Sequence, residues 1–410
     1  MPLNRVANCG STPNLRPMKK TSFPILLCIG ILASGCQEDT GEEKPAPESV
    51  KKTSPAASNW TSFRGDSNMT GVIDLDMPLP LELAWVIETE DAILATAAIA
   101  DGKVYVGSSN GEFYCLNLDD GELKWTFKSD ESTTIEGSAA IVGDLVYFGS
   151  GDGFLFALNR ETGEEVWRFE CNDQILGGVN YFTTSEGREL VVFGSYDYFV
   201  YALDAKTGEK VWAAETDNYV IGTPTVDRVS GVVIIGGCDA MLHLLDATTG
   251  DEVKKIEVGS YIANSCAVMD EIAYVAHHGE QVQAIDLKSA ETIWTFEDRN
   301  FPYQASPAVT TDRVYAAGRD KRLRALDRTS GEQIWEFSAR GNFDSSPVVT
   351  NNAIFIGSDD GRLYAVDTAE GKELWTYEIG ERIAASPAIA GGYLIISAED
   401  GGIYAFKTAD

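Results

Sequence analysis

The sequence repeats itself with a fixed period. Ala157–Trp167 reads Ala-Leu-Asn-Arg-Glu-Thr-Gly-Glu-Glu-Val-Trp, and Ala202–Trp212 returns it as Ala-Leu-Asp-Ala-Lys-Thr-Gly-Glu-Lys-Val-Trp. Weaker copies are Cys115–Trp125, Leu244–Lys254, Ala284–Trp294, Ala325–Trp335 and Ala365–Trp375. The last position of the copies falls at Trp125, Trp167, Trp212, Lys254, Trp294, Trp335 and Trp375, a spacing of 40 to 45 residues. A period of that size implies an array or a propeller.

Each copy has the chemistry of a tight hairpin. Asn or Asp bonds its own backbone at the turn entrance. The glycines Gly121, Gly163, Gly208, Gly250, Gly331 and Gly371 are placed where a left-handed residue is needed. Trp then opens the next strand and buries a large flat surface. Around this hairpin each repeat supplies a small-residue first strand, such as Ile135–Ile141 or Ile383–Ile389. A β-branched and aromatic second strand follows, such as Leu145–Ser150. Eight first strands can be counted, near Ile93, Ile135, Ile175, Val220, Ile262, Tyr303, Phe343 and Ile383. The eighth repeat stops inside its hairpin motif. Leu81–Glu88 has the missing fourth-strand pattern, with Trp85 one period before Trp125. An open strand edge is a liability that closure removes. The expected fold is therefore all-β: an eight-bladed β-propeller of four-stranded blades, closed by residues 81–88 completing the C-terminal blade.

First strands converge on a propeller axis. Thr96, Ser138, Gly178, Thr223, Ser265, Ser306, Ser346 and Ser386 occupy equivalent positions there. They are read as close packing around a wet axial channel, with a polar ligand channel as the functional alternative.

The pattern Ala-x-Asp-x-x-Thr-Gly-Glu/Lys-x-x-Trp resembles the tryptophan-docking motif of the PQQ-repeat, quinoprotein-type β-propellers. The resemblance implies that Trp85, Trp125, Trp167, Trp212, Trp294, Trp335 and Trp375 stack on glycine turns of neighbouring blades, Trp167 beside turns such as that at Gly163. Lys254 replaces a Trp and Ala290 a Gly, and the two blades concerned are expected to dock less well. Trp60-Thr-Ser-Phe-Arg-Gly resembles the leader found ahead of many bacterial propellers of this kind.

Quinoprotein dehydrogenases of the family hold PQQ on calcium through Glu, Asn and Asp, and many have adjacent cysteines beside the cofactor. The seven cysteines here include no adjacent pair, and the loops between repeats are short and uniform. The reading is therefore of a non-enzyme without cofactor or metal, a PQQ-dependent dehydrogenase being the less favoured alternative. In length, anchor and repeat count the chain is similar to the BamB-type lipoproteins of outer-membrane protein assembly. That implies an interaction scaffold whose partners are other envelope proteins. A second class is a ligand sensor, like the PQQ-repeat domains joined to some bacterial kinases, although no kinase motifs are present.

The start of the chain reads as an export signal. Met18-Lys-Lys precedes a short apolar run, Ile25–Ala33, and Ala33-Ser-Gly-Cys36 resembles a lipobox with Cys36 as the acylated residue. The organisation is read as a leader and signal over 1–35, with Met18 as an alternative start. A lipid-anchored tether over 36–59, a leader segment over 60–80 and the propeller over 81–410 follow. The protein would sit in the cell envelope, facing the periplasm or exterior, as a monomeric propeller. A formal net charge of −31 opposes binding to nucleic acid.

His277-His278 and His243 are the whole histidine inventory. Adjacent strand residues point to opposite faces, so the pair is read as solvated or core histidine rather than a metal site. Arg319-Asp-Lys-Arg-Leu-Arg324, the one basic cluster, is read as a turn and an exposed strand face.

Overall fold

The computed structural model describes residues 59–129, 133–298 and 301–409, all within the compact unit Lys52–Asp410. The signal, lipobox and tether readings, apart from Asn59, lie outside the described residues. Eight antiparallel sheets of four strands account for all regular structure among the described residues. Seven blades are continuous in sequence: 98–128, 140–170, 180–215, 225–257, 267–297, 308–338 and 348–378. The eighth takes three strands from 388–408 and its outer strand from Leu81–Glu88. That strand runs antiparallel to Gly402–Thr408, from Leu81 opposite Thr408 to Glu88 opposite Gly402, with a register shift between Leu83 and Trp85. The expected closure is what the structure shows.

Second and third strands are buried on both faces, which explains their continuous runs of Val, Ile, Leu, Phe and Tyr. The outer strands alternate exposed and covered residues, as in Glu165–Glu170. First strands differ from expectation. The ladder begins two residues after the axial Ser/Thr position and lasts only two to four residues, as at Ala308–Val309 and Asn180–Thr183. The segment before it is irregular because its N–H groups bond the next blade instead of its own sheet. Pro224, Pro307, Pro347 and Pro387 have no N–H to offer a ladder at all.

Residues 59–80 form a strap across the inner ends of the blades. An innermost strand leaves one row of N–H groups unpaired, which is costly when buried. Strap carbonyls take those donors in ring order. Ile99 N bonds Trp60 O (2.8 Å), Ile141 N bonds Thr61 O (2.8 Å) and Val226 N bonds Ser67 O (2.7 Å). Val268 N bonds Asn68 O, Val309 N bonds Thr70 O and Val349 N bonds Gly71 O, each at 2.9 Å. Blade 3 contributes the Asn180 side-chain amide to Ser67 O (3.0 Å). Arg64, fully buried, donates to Pro347 O (2.6 Å) and Pro307 O (3.1 Å). Burial lowers its pKa to about 9, and the attraction of Asp66 opposes this only in part. The strap visits seven blades and then enters the eighth as its outer strand.

Candidate functional site

Interblade docking follows directly from the hairpin chemistry. At Gly121, Gly163, Gly208, Gly250, Gly331 and Gly371, φ lies between +69° and +76°. A Cβ at any of them would come within 2.5 to 2.9 Å of an indole ring, belonging to Trp85, Trp125, Trp167, Trp212, Trp294 and Trp335 respectively. Only glycine meets both demands. The indole N–H then bonds the carbonyl three residues before that glycine, from Trp85 to Leu118 (2.8 Å) through Trp335 to Thr368 (3.2 Å). Each Trp thus docks on the turn of the following blade. Trp167 sits on Gly208, not on Gly163, which receives Trp125. The reason is geometric: Gly163 lies in the same hairpin as Trp167, and an indole there faces outward from its own sheet. Trp375 has no such turn ahead of it, because the outer strand of blade 8 comes from elsewhere in the chain. It packs edge-on against Phe406 at 5.6 Å.

The two departures from the motif belong to one interface. Lys254 of blade 4 faces the turn of blade 5 that carries Ala290, at φ 62°. Its Nζ donates to Leu287 O (3.1 Å), the carbonyl equivalent to those that receive the indoles, and to Lys288 O (2.5 Å). A slender ammonium side chain reaches the acceptor without needing space over a glycine. The expectation of two poorly docked blades is corrected to one interface with a substitute bond.

Around the axis, backbone N–H groups bond hydroxyls of the next blade. Six successive links run from Gly178 to Thr223, Ser265, Ser306, Ser346, Ser386 and Thr96, each at 2.9 to 3.0 Å. A Cβ at Gly178 would approach Thr223 Oγ1 at 2.6 Å, so this blade needs glycine to let its neighbour's hydroxyl in. The ring residues line an axial cavity of about 330 Å³, with Phe63 of the strap also in its wall. Two residues before each ring position stand Leu94, Glu136, Leu176, Ile221, Ala263, Gln304, Asp344 and Ala384, which also line it.

The cavity mouth is not eightfold symmetric. The turns joining second and third strands require a left-handed residue, and blades 7, 8, 1 and 2 supply Gly361, Gly401, Gly111 and Gly153. Blades 3 to 6 place Tyr198 (φ 76°), Ala240 (62°), Glu280 (69°) and Lys321 (68°) there, at a cost on the order of 1 kcal/mol or more each. Beside the strained turns of blades 3 to 5 lies an arc of rings. Tyr196 and Tyr219 pack at 5.0 Å, Tyr198 and Tyr219 edge-on at 5.1 Å, and Tyr261 stacks on His278 at 4.1 Å. Tyr261 OH meets His278 Nδ1 at 2.5 Å, and His278 Nε2 meets Gln304 Oε1 at 2.7 Å. On the other side Asp344 takes both oxygens to arginine, Arg319 Nε and Nη2 at 2.7 Å and also Arg382. Arg382 further pairs with Asp359 (2.7 Å) and with Glu399. Burial raises the Asp344 pKa and the two arginines outweigh it, leaving the carboxyl below its usual range.

The histidines and the basic cluster fall in different places. His277 is buried, its Nδ1 accepting from Gly279 N (3.0 Å), and burial beside His278 depresses its pKa to about 4. His243 is buried in blade 4 with Asp239 at 2.7 Å. The reading of Arg319–Arg324 as an exposed face is overturned. Arg324 is fully buried against Asp320 and Asp298, and Arg319 binds Asp344 at the cavity. The missed signal was the Asp four residues before the middle of the third strand. Asp197, Asp239, Asp320 and Asp360 bond Tyr201, His243, Arg324 and Tyr364 in the same way.

Eight four-stranded blades about one axis, with indoles docked on the turns between them, define a propeller of the PQQ-repeat type. The model of the family described as outer membrane protein assembly factor BamB matches residues 82–171, 151–235, 200–336 and 319–410. The chain belongs to that family. A search of curated protein sequences returns no match. Among solved structures, BamB from Moraxella catarrhalis is similar at 20% identity and a TM-score of 0.68, covering 80% of this chain and 100% of that one. A europium-containing methanol dehydrogenase is similar at 14% identity and TM-score 0.72, covering 86% and 98%. The quinohemoprotein alcohol dehydrogenase from Comamonas testosteroni is similar at 17% identity and TM-score 0.73, covering 86% and 81%. At such identities these likenesses define the fold alone.

Proposed function

We propose that this chain is a non-catalytic, membrane-tethered extracytoplasmic propeller acting as a protein-interaction scaffold in outer-membrane protein assembly. The observation that carries the reading is the chemistry of the axial cavity, the place where a propeller with short loops would build a catalytic centre. Six of its hydroxyls are acceptors for the neighbouring blade, and Asp344 is held by two arginines. A PQQ site must stack a flat tricyclic carboxylate and seat calcium among six to eight oxygens. No group of three or more His, Cys, Asp or Glu among the described residues is placed to hold a metal ion. The residues therefore do not fit the quinone site of the dehydrogenases that share the fold. Membership of the BamB family supports the scaffold reading, and Cys36 would supply the anchor.

The test is chemical crosslinking on intact membranes, followed by purification of the propeller and identification of attached proteins. A defined set of envelope proteins, lost when Cys36→Ala releases the chain from the membrane, is the expected result. Recovery of no specific partner, together with saturable binding of PQQ and calcium and turnover of an alcohol, would sink the proposal. Ligand sensing is the second reading, favoured by the half-aromatic mouth.

A further inference from the structure

We infer that the cavity mouth over blades 3 to 6 is a binding site for an uncharged saccharide. The inference is independent of the scaffold reading. Three observations meet in this half of the ring. The first is the aromatic arc. Tyr219 and Tyr261 stand two residues before Ile221 and Ala263 of the cavity wall, and His278 bonds Gln304 of the same wall. These rings stay half-buried, and Tyr198 is 39% exposed, so their faces have not been absorbed by the core.

The second is an unmet polar group. Asn264 lines the cavity and is 6% exposed. Its amide donates to Ala276 O (2.9 Å) and Ala305 O (3.2 Å), which leaves Oδ1 with no protein partner. A buried acceptor without a donor is costly, which marks a locally destabilised stretch of the wall, although Oδ1 itself is enclosed and not open to the cavity. The third is the run of left-handed non-glycine residues from Tyr198 to Lys321. Backbone strain that persists in four successive blades, and nowhere else in this set of turns, is the kind that clusters at ligand clamps.

The ligand class follows from what these groups offer. Partly exposed tyrosine rings, together with Leu176, Ile221 and Ala263 in the cavity wall, favour a ligand with a flat apolar face. Gln304 and the Arg319–Asp344 pair present planar donors and acceptors, which match vicinal hydroxyls and would be left unpaired by a hydrocarbon. Anionic ligands are disfavoured. Arg319 and Arg382 are outnumbered by Glu136, Asp344, Asp359 and Glu399, and the chain carries a net −31. An uncharged molecule with one apolar face and an edge of hydroxyls is a saccharide.

The experiment is titration calorimetry of the purified propeller with cellohexaose, xylohexaose, mannohexaose and chitohexaose. Polygalacturonate oligomers and a proline-rich hexapeptide serve as contrasting probes. Saturable binding of at least one neutral oligosaccharide is expected. Tyr219→Ala and Tyr261→Ala should each weaken it roughly tenfold or more, the loss seen when an aromatic anchor is truncated. Tyr219→Phe should retain it, which separates ring stacking from damage to the fold, and Leu374→Ser on the far rim should leave it unchanged. The inference is overturned if none of the neutral oligosaccharides binds or if the acidic oligomer or peptide binds in preference. Binding unaffected by Gln304→Ala and both tyrosine truncations would also overturn it.

Discussion

Blades 7, 8, 1 and 2 follow their repeat closely, while blades 3 to 6 depart from it in the turn between second and third strands and, in blades 4 to 6, in the middle of the third strand. The regular half keeps glycine in its left-handed turns and Tyr364, Tyr404, Tyr114 and Phe156 in the middle of its third strands. The irregular half has Tyr198, Ala240, Glu280 and Lys321 in those turns, and Tyr201, His243, Gln283 and Arg324 in those strands. It also contains the Lys254–Ala290 contact in place of an indole on glycine. Yet the blades on both sides have the same four strands and the same ladders. A ring with no free edge holds each sheet between two neighbours, so a weak or strained unit is carried by its context. Divergence can then gather in one arc, where a surface is being shaped for something other than stability.

The strongest way to break this comparison is to remove what lets the regular half carry the other. Deleting Leu81–Glu88 eliminates the outer strand of blade 8 and the Trp85–Gly121 docking together. Loss of cooperative unfolding and aggregation at temperatures where the parent is soluble are expected in a thermal melt followed by light scattering. A deletion protein that melts like the parent would show that closure does not hold the ring.

Next in size is a regular docking site. Trp167→Ala should lower stability by about 3 kcal/mol, the lower end for a large aromatic because this indole is half-buried. Denaturant unfolding checks it, and a loss no greater than that of a surface residue would mean the indoles fill space without joining blades.

Acid should act on the irregular half first. His277 has a folded pKa near 4 against an unfolded value near 6.5, so the unfolded chain binds the extra proton between those two values. The stabilisation from keeping it neutral is complete above the unfolded pKa and is lost as pH falls towards 4, by at most about 3 kcal/mol. Asp344, whose folded pKa is lowered, contributes a separate loss below the usual carboxylate range. The measurement is stability against pH for the parent and for His277→Gln. The difference between the two curves should change between pH 6.5 and 4 and be flat above it.

The smallest effect sharpens the comparison most. Lys254→Trp restores the motif on one side only. Ala290 already carries a Cβ where the six docked glycines leave less than 3 Å to the ring, so the single change should destabilise by about 1–2 kcal/mol. Ala290→Gly alone should be close to neutral, since it relieves a left-handed alanine while freeing the unfolded chain. Together they should recover stability, with a coupling of about 1–3 kcal/mol. Additive effects would mean that Lys254 and Ala290 do not share an interface.

The repeat spacing made much of this legible in advance. Blade count, the closing strand and the residues of the docking ring all follow from a period and a hairpin motif, because local turn chemistry demands Asn or Asp, Gly and Trp at set places. What stayed hidden depends on which element lies beside which. No local rule says that Trp167 meets Gly208 and not Gly163, or that Lys254 and Ala290 face each other. Arg324 sits in a basic run and reads as exposed, but the buried Asp320 beside it is visible only once the turn is folded. The axial Ser and Thr residues were singled out by position, whereas their bonds to the next blade are a property of the ring.

The strap and closing strand also set an order in time. Residues 59–88 are made before every blade they brace, yet their partners in seven blades and in Gly402–Thr408 are made later, Gly402–Thr408 last among them. Early blades can collapse as they appear, but the ring cannot close until Gly402–Thr408 has been made. A product interrupted before Gly402 would keep its strap and most of its core while leaving two ladder edges bare. Such a product is easily told from a finished one by any protease that cleaves open chains. Closure of the ring is thereby written into the last of these contacts to form.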